Sequence, residues 1–246
     1  QMQEEVMAGI FYGVGVGPGD PGLLTLKAKQ ILEEADVIAV PVKKPGEKST
    51  AFEIIRQVVE TEGKEILETV FYMTADPSVW RSCAKEAAAL VEARLKKEKK
   101  VVLITLGDVT VYSTCMYVQQ YVAAKGYRTE LIPGISSYSA GAACAGIALA
   151  EGKETLAVVP ALKNPEQLGT VLELFDNVIL MKASKSIRWL GEYMRQEKIP
   201  RTNAVVLCCV GLPGEYIGPL DESREYGYFT TVIVKKGTGG LKEEQE

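Results

Sequence analysis

Short apolar runs alternate with helical stripes along most of the chain. Ile10–Val16 (IFYGVGV) reads as a strand. Behind it Leu24, Ala28, Ile31, Leu32 and Ala35 recur at helical spacing, so one face of that segment is apolar. VIAVPV (37–42) predicts a second strand and AFEIIRQVVE (51–60) a second helix. Asp76-Pro77 has the form of an N-cap followed by a first-turn proline. In the helix behind it Cys83, Ala87, Leu90, Val91 and Leu95 share one side. VVLIT (101–105) is a continuous apolar run, as in a strand buried on both faces of a parallel sheet. A helix is expected from about Ser113 to Gly126.

The pattern starts again after LIPGISS (131–137). A small-residue helix, AGAACAGIAL, precedes the strand TLAVVPA. A helix over Pro165–Phe175 leads to the strand NVILMKA, and SIRWLGEYMRQ leads to NAVVLCCVGL. YFTTVIVKK is the last strand. The alternation predicts an α/β fold of two α/β domains joined near Pro133. The expected division is 8–132 with a parallel sheet, 133–237 with a mixed sheet because it ends in consecutive strands, and a disordered tail over 238–246.

Composition narrows the chemistry. Across 246 residues, 47% are hydrophobic and 24% charged, which is ordinary for a globular protein with a substantial core. No window of 18 apolar residues predicts a membrane span. The leading QMQEEVMAG lacks the basic and apolar regions of a signal peptide. Met7 is a candidate natural start, and a cytoplasmic location is expected. The five cysteines are odd in number and include no C-x-x-C, so neither a disulfide framework nor a metal site is expected. Cys208 and Cys209 lie in an apolar run and read as small buried hydrophobes. The absence of histidine excludes Ser-His-Asp and Cys-His catalysis. A net charge of −4 argues against a nucleic-acid partner.

GPGDPG (17–22) matches the spacing of a dinucleotide-binding loop, but its residues oppose that use. Pyrophosphate needs backbone N–H groups at a helix N-terminus. Pro18 and Pro21 each remove one, and Asp20 places a negative charge there. The strand that follows ends in Val42-Lys43-Lys44 rather than in the acidic residue that would hold a ribose. A tight turn allowing close backbone approach is the better reading. Asp108 follows a buried strand, where α/β sheets bind ligands; it is either a ligand contact or the cap of the next helix. Ser136 and Ser137 behind the Pro133-Gly134 bend offer the same choice.

Four stretches, taken together, resemble the tetrapyrrole methylase family. They are VGVGPGDPGLLTLKA (14–28), TLGDVTVYS (105–113), IPGISSYSA (132–140) and VILMKAS (178–184). They occur in the family's order and span nearly the whole chain. TLGDVTVYSTCMYV, AEGKETLAVVPA and GLPGEYI look most like the members that methylate C20 of precorrin-2 or cobalt-factor II in cobalamin biosynthesis. Gly107-Asp108-Val109 departs from the Gly-Asp-Pro of many relatives.

The resemblance implies two α/β domains with the active site in the cleft between them. It implies S-adenosylmethionine as methyl donor, S-adenosylhomocysteine as product, and a tetrapyrrole as the other substrate. By motif position, the donor contacts would be Pro18, Leu106, Gly107, Asp108, Val111, Ser136, Ser137 and Met181, with Gly211 a weaker match. The protein needs no nucleophile of its own, so no catalytic residue is assigned; Asp20 and Tyr112 are candidates for a base. Lys43, Lys44 and Lys48, with Lys182, Lys185 and Arg188, either meet substrate carboxylates or form a solvated surface. A homodimer is expected, by analogy and by the frequency of symmetric dimers. The alternatives are a methylase acting at another ring position, an RNA ribose methylase, a nucleotide-dependent oxidoreductase, and a non-catalytic ligand-binding module of the same fold.

Overall fold

The computed structural model describes residues 9–74, 76–160, 162, 164–237 and 240–241. The possible start at Met7 lies outside them, as does most of the expected tail. The chain divides into two compact units, one ending at Ser136 and the other beginning at Ser137.

The first unit runs β1 (Ile10–Gly15), α1 (Leu26–Glu34), β2 (Val37–Val42), α2 (Thr50–Ile55), β3 (Glu65–Val70), α3 (Pro77–Leu95), β4 (Lys100–Thr105), α4 (Cys115–Ala124) and β5 (Arg128–Ile132). Its sheet has the order β3-β2-β4-β1-β5 and every pairing is parallel. Strand residues alternate between faces. Phe11, Val37, Ala39, Val101 and Leu103 pack with α3 and α4. Ile38, Val40, Val102 and Ile104 are equally buried on the other face, where α1 and α2 lie against the sheet. β1 and β4 are neighbours, yet the helices that follow them lie on opposite faces. Their carboxyl ends therefore form a topological switch point, where α/β sheets bind ligands.

The second unit runs α5 (Ser137–Ala145), β6 (Leu156–Val159), α6 (Pro165–Leu174), β7 (Asn177–Met181), α7 (Ile187–Gln196), β8 (Ala204–Cys208), β9 (Tyr216–Pro219) and β10 (Thr230–Lys235). Its sheet, ordered β6-β7-β10-β8-β9, is mixed. β6 and β7 are parallel, while β10 runs antiparallel to β7 and β8, and β9 antiparallel to β8. Leu168, Leu190 and Met194 of the two helices α6 and α7 meet Val178, Leu180, Val206 and Val232 of the sheet. α5 contacts β8, β9 and β10. Leu241 donates a backbone hydrogen bond to Thr202 at 2.9 Å, so the tail is attached at that point.

Several elements differ from the sequence reading. β3 has no apolar run to announce it: it is an edge strand whose buried side chains are Leu67 and Thr69. Leu90 is 40% exposed, and α3 instead buries the small residues Ala84 and Ala88. α2 ends at Ile55, not Glu60. α4 begins at Cys115, because the Ser113 hydroxyl accepts from the Cys115 N–H at 3.2 Å and donates to Thr105 Oγ1 at 3.1 Å. Ser113 is thereby held back on β4, outside the helix.

Candidate active site

Three loops leave the carboxyl ends of β1, β4 and β5 and meet through their backbones. Gly17 donates to the Gly107 carbonyl at 3.2 Å and Gly107 donates to the Gly17 carbonyl at 2.7 Å. This antiparallel bridge closes over two otherwise parallel strands. Both residues need positive φ, +79° and +70°. A Cβ on Gly15 would lie 2.7 Å from both the Gly107 carbonyl oxygen and the Gly134 nitrogen; one on Gly134 would lie 2.2 Å from the Gly107 oxygen. Glycine is required here by close approach.

The opening loop thus satisfies itself. Gly17 N–H serves Gly107, and the Asp20 carboxylate accepts from Gly22 N–H at 2.7 Å, capping the short 3-10 turn Pro21–Leu23. Leu23 and Leu24 donate to Asp20 and Pro21 carbonyls. Those amides are not turned to a pyrophosphate, which removes the basis of the oxidoreductase reading.

Asp108 lies at the centre of the convergence. Its Oδ2 accepts from Gly134 N–H at 2.8 Å, and its Oδ1 accepts from Thr110 N–H at 2.8 Å and from the Thr110 hydroxyl. Burial opposes ionisation, but the donors from Thr110 and Gly134 outweigh it and hold the carboxyl below the usual aspartate range. The capping alternative is corrected by this geometry: α4 starts after Thr114, well beyond Asp108. Asp108 clasps the β4 loop to the bend after β5. Val109 beside it is buried at 1% exposure.

Around this clasp Pro18 and Ser136 are buried and Leu106, Gly107 and Val111 half-buried. Tyr112 is 47% exposed with φ +49°, a conformation uncommon for a bulky residue and often found at functional sites. In the second unit Ser137 is the first residue of α5. Met181 ends β7 opposite Thr231, and the adjacent Thr230 pairs with Cys208 at the end of β8. Gly211, with φ +72°, follows on the turn after β8. Met181 and Gly211 therefore belong to one edge of that sheet. Lys182 (φ +56°) and Cys209 (φ +53°) leave the same edge in left-handed backbone. Sequence reasoning missed Gly15, Thr110, Gly134 and Thr230 as parts of these constructions. Gly15, Thr110 and Gly134 lie inside the motifs, whereas Thr230, in the last strand, carries no such signal.

The arrangement presents backbone polar atoms and small side chains, with its one carboxylate, Asp108, engaged within the chain. Among the described residues no group of three or more acidic or cysteine side chains is placed to hold a metal ion. No helix among them is long and apolar enough to cross a membrane.

Comparison with known proteins identifies the family. Residues 11–222 match the model of the tetrapyrrole (corrin/porphyrin) methylases. A probable cobalt-precorrin-2 C(20)-methyltransferase of Methanocaldococcus jannaschii is 43% identical over 171 residues, 70% of this chain and 71% of that protein. The cobalt-precorrin-2 C(20)-methyltransferase of Salmonella typhimurium is 30% identical over 234 residues, 94% of this chain and 98% of that protein. Among solved structures, a cobalt precorrin-4 methyltransferase superposes with a TM-score of 0.71 at 20% identity, covering 92% of this chain and 94% of its own. A uroporphyrin-III C-methyltransferase from Thermus thermophilus, complexed with S-adenosylhomocysteine, gives 0.64 at 22% identity, covering 93% and 98%. By its match to the family model and its identity to these relatives, with a fold in keeping, the chain belongs to the tetrapyrrole methylases.

Proposed function

We infer that the protein transfers the methyl group of S-adenosylmethionine to the C20 meso carbon of precorrin-2 or its cobalt-bearing counterpart, in cobalamin biosynthesis. The observation that carries this reading is the end-to-end correspondence with the Salmonella typhimurium C(20)-methyltransferase, which spans 94% of this chain. The donor supplies an activated methyl on a sulfonium. An electron-rich substrate carbon attacks that methyl as the carbon–sulfur bond breaks, and the bonding pair leaves on a neutral thioether. The protein therefore works by alignment, for which effective molarities reach ~10^5–10^8 M. This accords with a chain that has no histidine.

The assignment of donor contacts is part of the proposal. In the first unit Leu106 and Gly107 would present backbone groups to the donor, with Pro18 and Val111 beside them. Asp108 would hold that loop in place, and Ser136 would add a hydroxyl. In the second unit Ser137, Met181 and Gly211 would contribute. After transfer C20 loses a proton, for which Tyr112 and Asp20 remain the candidate bases. Asp20 accepts from Gly22 N–H, and Tyr112 is exposed in left-handed backbone. We place the protein in a reducing cytoplasm, in keeping with five free cysteines, and as a homodimer. A monomer in sedimentation at micromolar concentration would overturn the dimer.

The test of function is incubation with S-adenosylmethionine and either metal-free or cobalt-loaded dimethylated tetrapyrrole, followed by mass spectrometry and NMR location of the new methyl. One methyl added at C20 is expected. A methyl at another position would make the protein a sister methylase. Binding of both substrates without transfer would make it a ligand-binding module.

A further inference from the structure

We propose that Cys208 and Cys209 are a dithiol that a hydroperoxide closes to a vicinal disulfide, a reversible modification site on the turn that carries Gly211. Successive side chains of a strand point to opposite faces, which keeps adjacent cysteines apart. Here Cys208 is the last residue of β8 and Cys209 leaves it at φ +53°. The left-handed step brings the two sulfurs to 3.7 Å. The surroundings hold this conformation: Cys209 N–H donates to Phe229 at 2.9 Å, Leu212 N–H to Cys209 at 2.8 Å, and Gly211 N–H to Glu215 Oε2 at 2.6 Å. A non-glycine residue is thus kept in a disfavoured backbone region at the sheet edge where Met181 also ends.

The two thiols are unequal. Cys208 is 5% exposed, whereas Cys209 is half-buried. Cys209 therefore meets the oxidant and Cys208 resolves it. Cys209 sulfur attacks the peroxide, the O–O bond breaks, and a sulfenic acid and one water (or alcohol) form. Cys208 sulfur then attacks the sulfenic sulfur. The S–S bond forms, the S–O bond breaks, and the hydroxyl leaves as water with the Cys208 proton. Two thiols lose two electrons and the peroxide gains them. Burial and the adjacent sulfur push the Cys209 thiol up to about 11; attack on the peroxide runs through its thiolate, so closure should quicken as pH rises. Ring closure would redraw the turn from Cys209 to Leu212. Only this last effect rests on the reading of Gly211 as a methyl-donor contact; the sulfur chemistry does not.

Tryptic cleavage after Arg201 and Arg224 releases residues 202–224, in which Cys208 and Cys209 are the only cysteines. The full chain would be treated with hydrogen peroxide, blocked at remaining thiols, digested and weighed, and S-adenosylmethionine binding titrated in parallel. The peptide is expected to lose the mass of two hydrogens and regain it with a dithiol reductant. Donor binding should weaken about tenfold, the loss of one hydrogen bond. Cys208→Ala and Cys209→Ala should each abolish the mass loss. A peptide left as two free thiols, or carrying a sulfinic acid beside a free thiol, would overturn the site. Disulfide formation with unchanged donor affinity would overturn the coupling. Failure of the reduced protein to bind donor would count against the proposed function and leave the mass result standing.

Discussion

Asp108 is placed where a ligand contact is expected, and both its carboxylate oxygens are engaged by the chain itself. The buried strand before it identified the position. The partner, Gly134, lies 26 residues away and only folding brings it near. Asp108→Ala should lower unfolding free energy by about 1.5–3 kcal/mol, the worth of hydrogen bonds to a charged group, and weaken donor binding because the clasped loops come apart. Chemical denaturation and calorimetric titration measure the two effects. The pH dependence has a definite sign. The folded carboxyl titrates below its unfolded value, so its contribution is complete above the ordinary aspartate pKa of about 3.9 and is lost as pH falls through the lower folded value. The stability gap between the parent and Asp108→Ala should therefore be constant near neutrality and close in strong acid. A gap that widened in acid would contradict the clasp.

Gly134 gives a companion test. Its substitution by alanine sets a methyl against the Gly107 carbonyl, and overpacking of this kind costs about 1–3 kcal/mol. Donor affinity should drop with it. Gly63→Ala is the control, since nothing lies within 4 Å of its Cβ direction; it should show only local backbone strain and unchanged donor binding.

Elements were legible in proportion to how much local chemistry marked their ends. Asp76 accepts from Ser78 N–H at 2.8 Å and Pro77 opens α3, as the dipeptide suggested. Asp76→Ala should lower the denaturant midpoint through loss of the cap and leave donor affinity intact. A change in that affinity would tie α3's start to the site. β2 and β4 announced themselves as apolar runs because both of their faces are covered. β3 did not, because an edge strand with glutamates at 65 and 68 buries little of itself. α4 starts later than the sequence suggests because the Ser113 hydroxyl accepts from Cys115 N–H while donating to Thr105 of β4, a double role no local pattern records.

Across the whole molecule, strand order is the feature that alternation cannot supply. β4 inserts between β2 and β1, and this creates the switch point on which the glycine bridge is built. Lys235 makes the same point in the second unit. It reads as part of a charged strand end, yet it is 1% exposed, donates to the Ala148 carbonyl at 2.8 Å and lies 3.8 Å from Glu154. It anchors the segment between α5 and β6 to β10. Lys235→Met keeps the apolar stem and removes that hydrogen bond, so it should cost about 1.5–3 kcal/mol, read as an earlier denaturation midpoint. An unchanged midpoint would show that relief from burying the charge offsets the lost bond.

The sequence by itself determined the α/β class, the mixed character of the second sheet, the helix starts with proline behind a capping side chain, and the motifs that mark a tetrapyrrole methylase. These are properties of local spacing, which periodicity and capping chemistry express directly. Tertiary structure alone decided which glycines touch, that Asp108 clasps a bend instead of capping a helix, and that a left-handed step brings two adjacent thiols to 3.7 Å. Those outcomes depend on contacts between segments distant along the chain, or on a backbone conformation imposed by neighbours. A pattern of residue types carries no record of either.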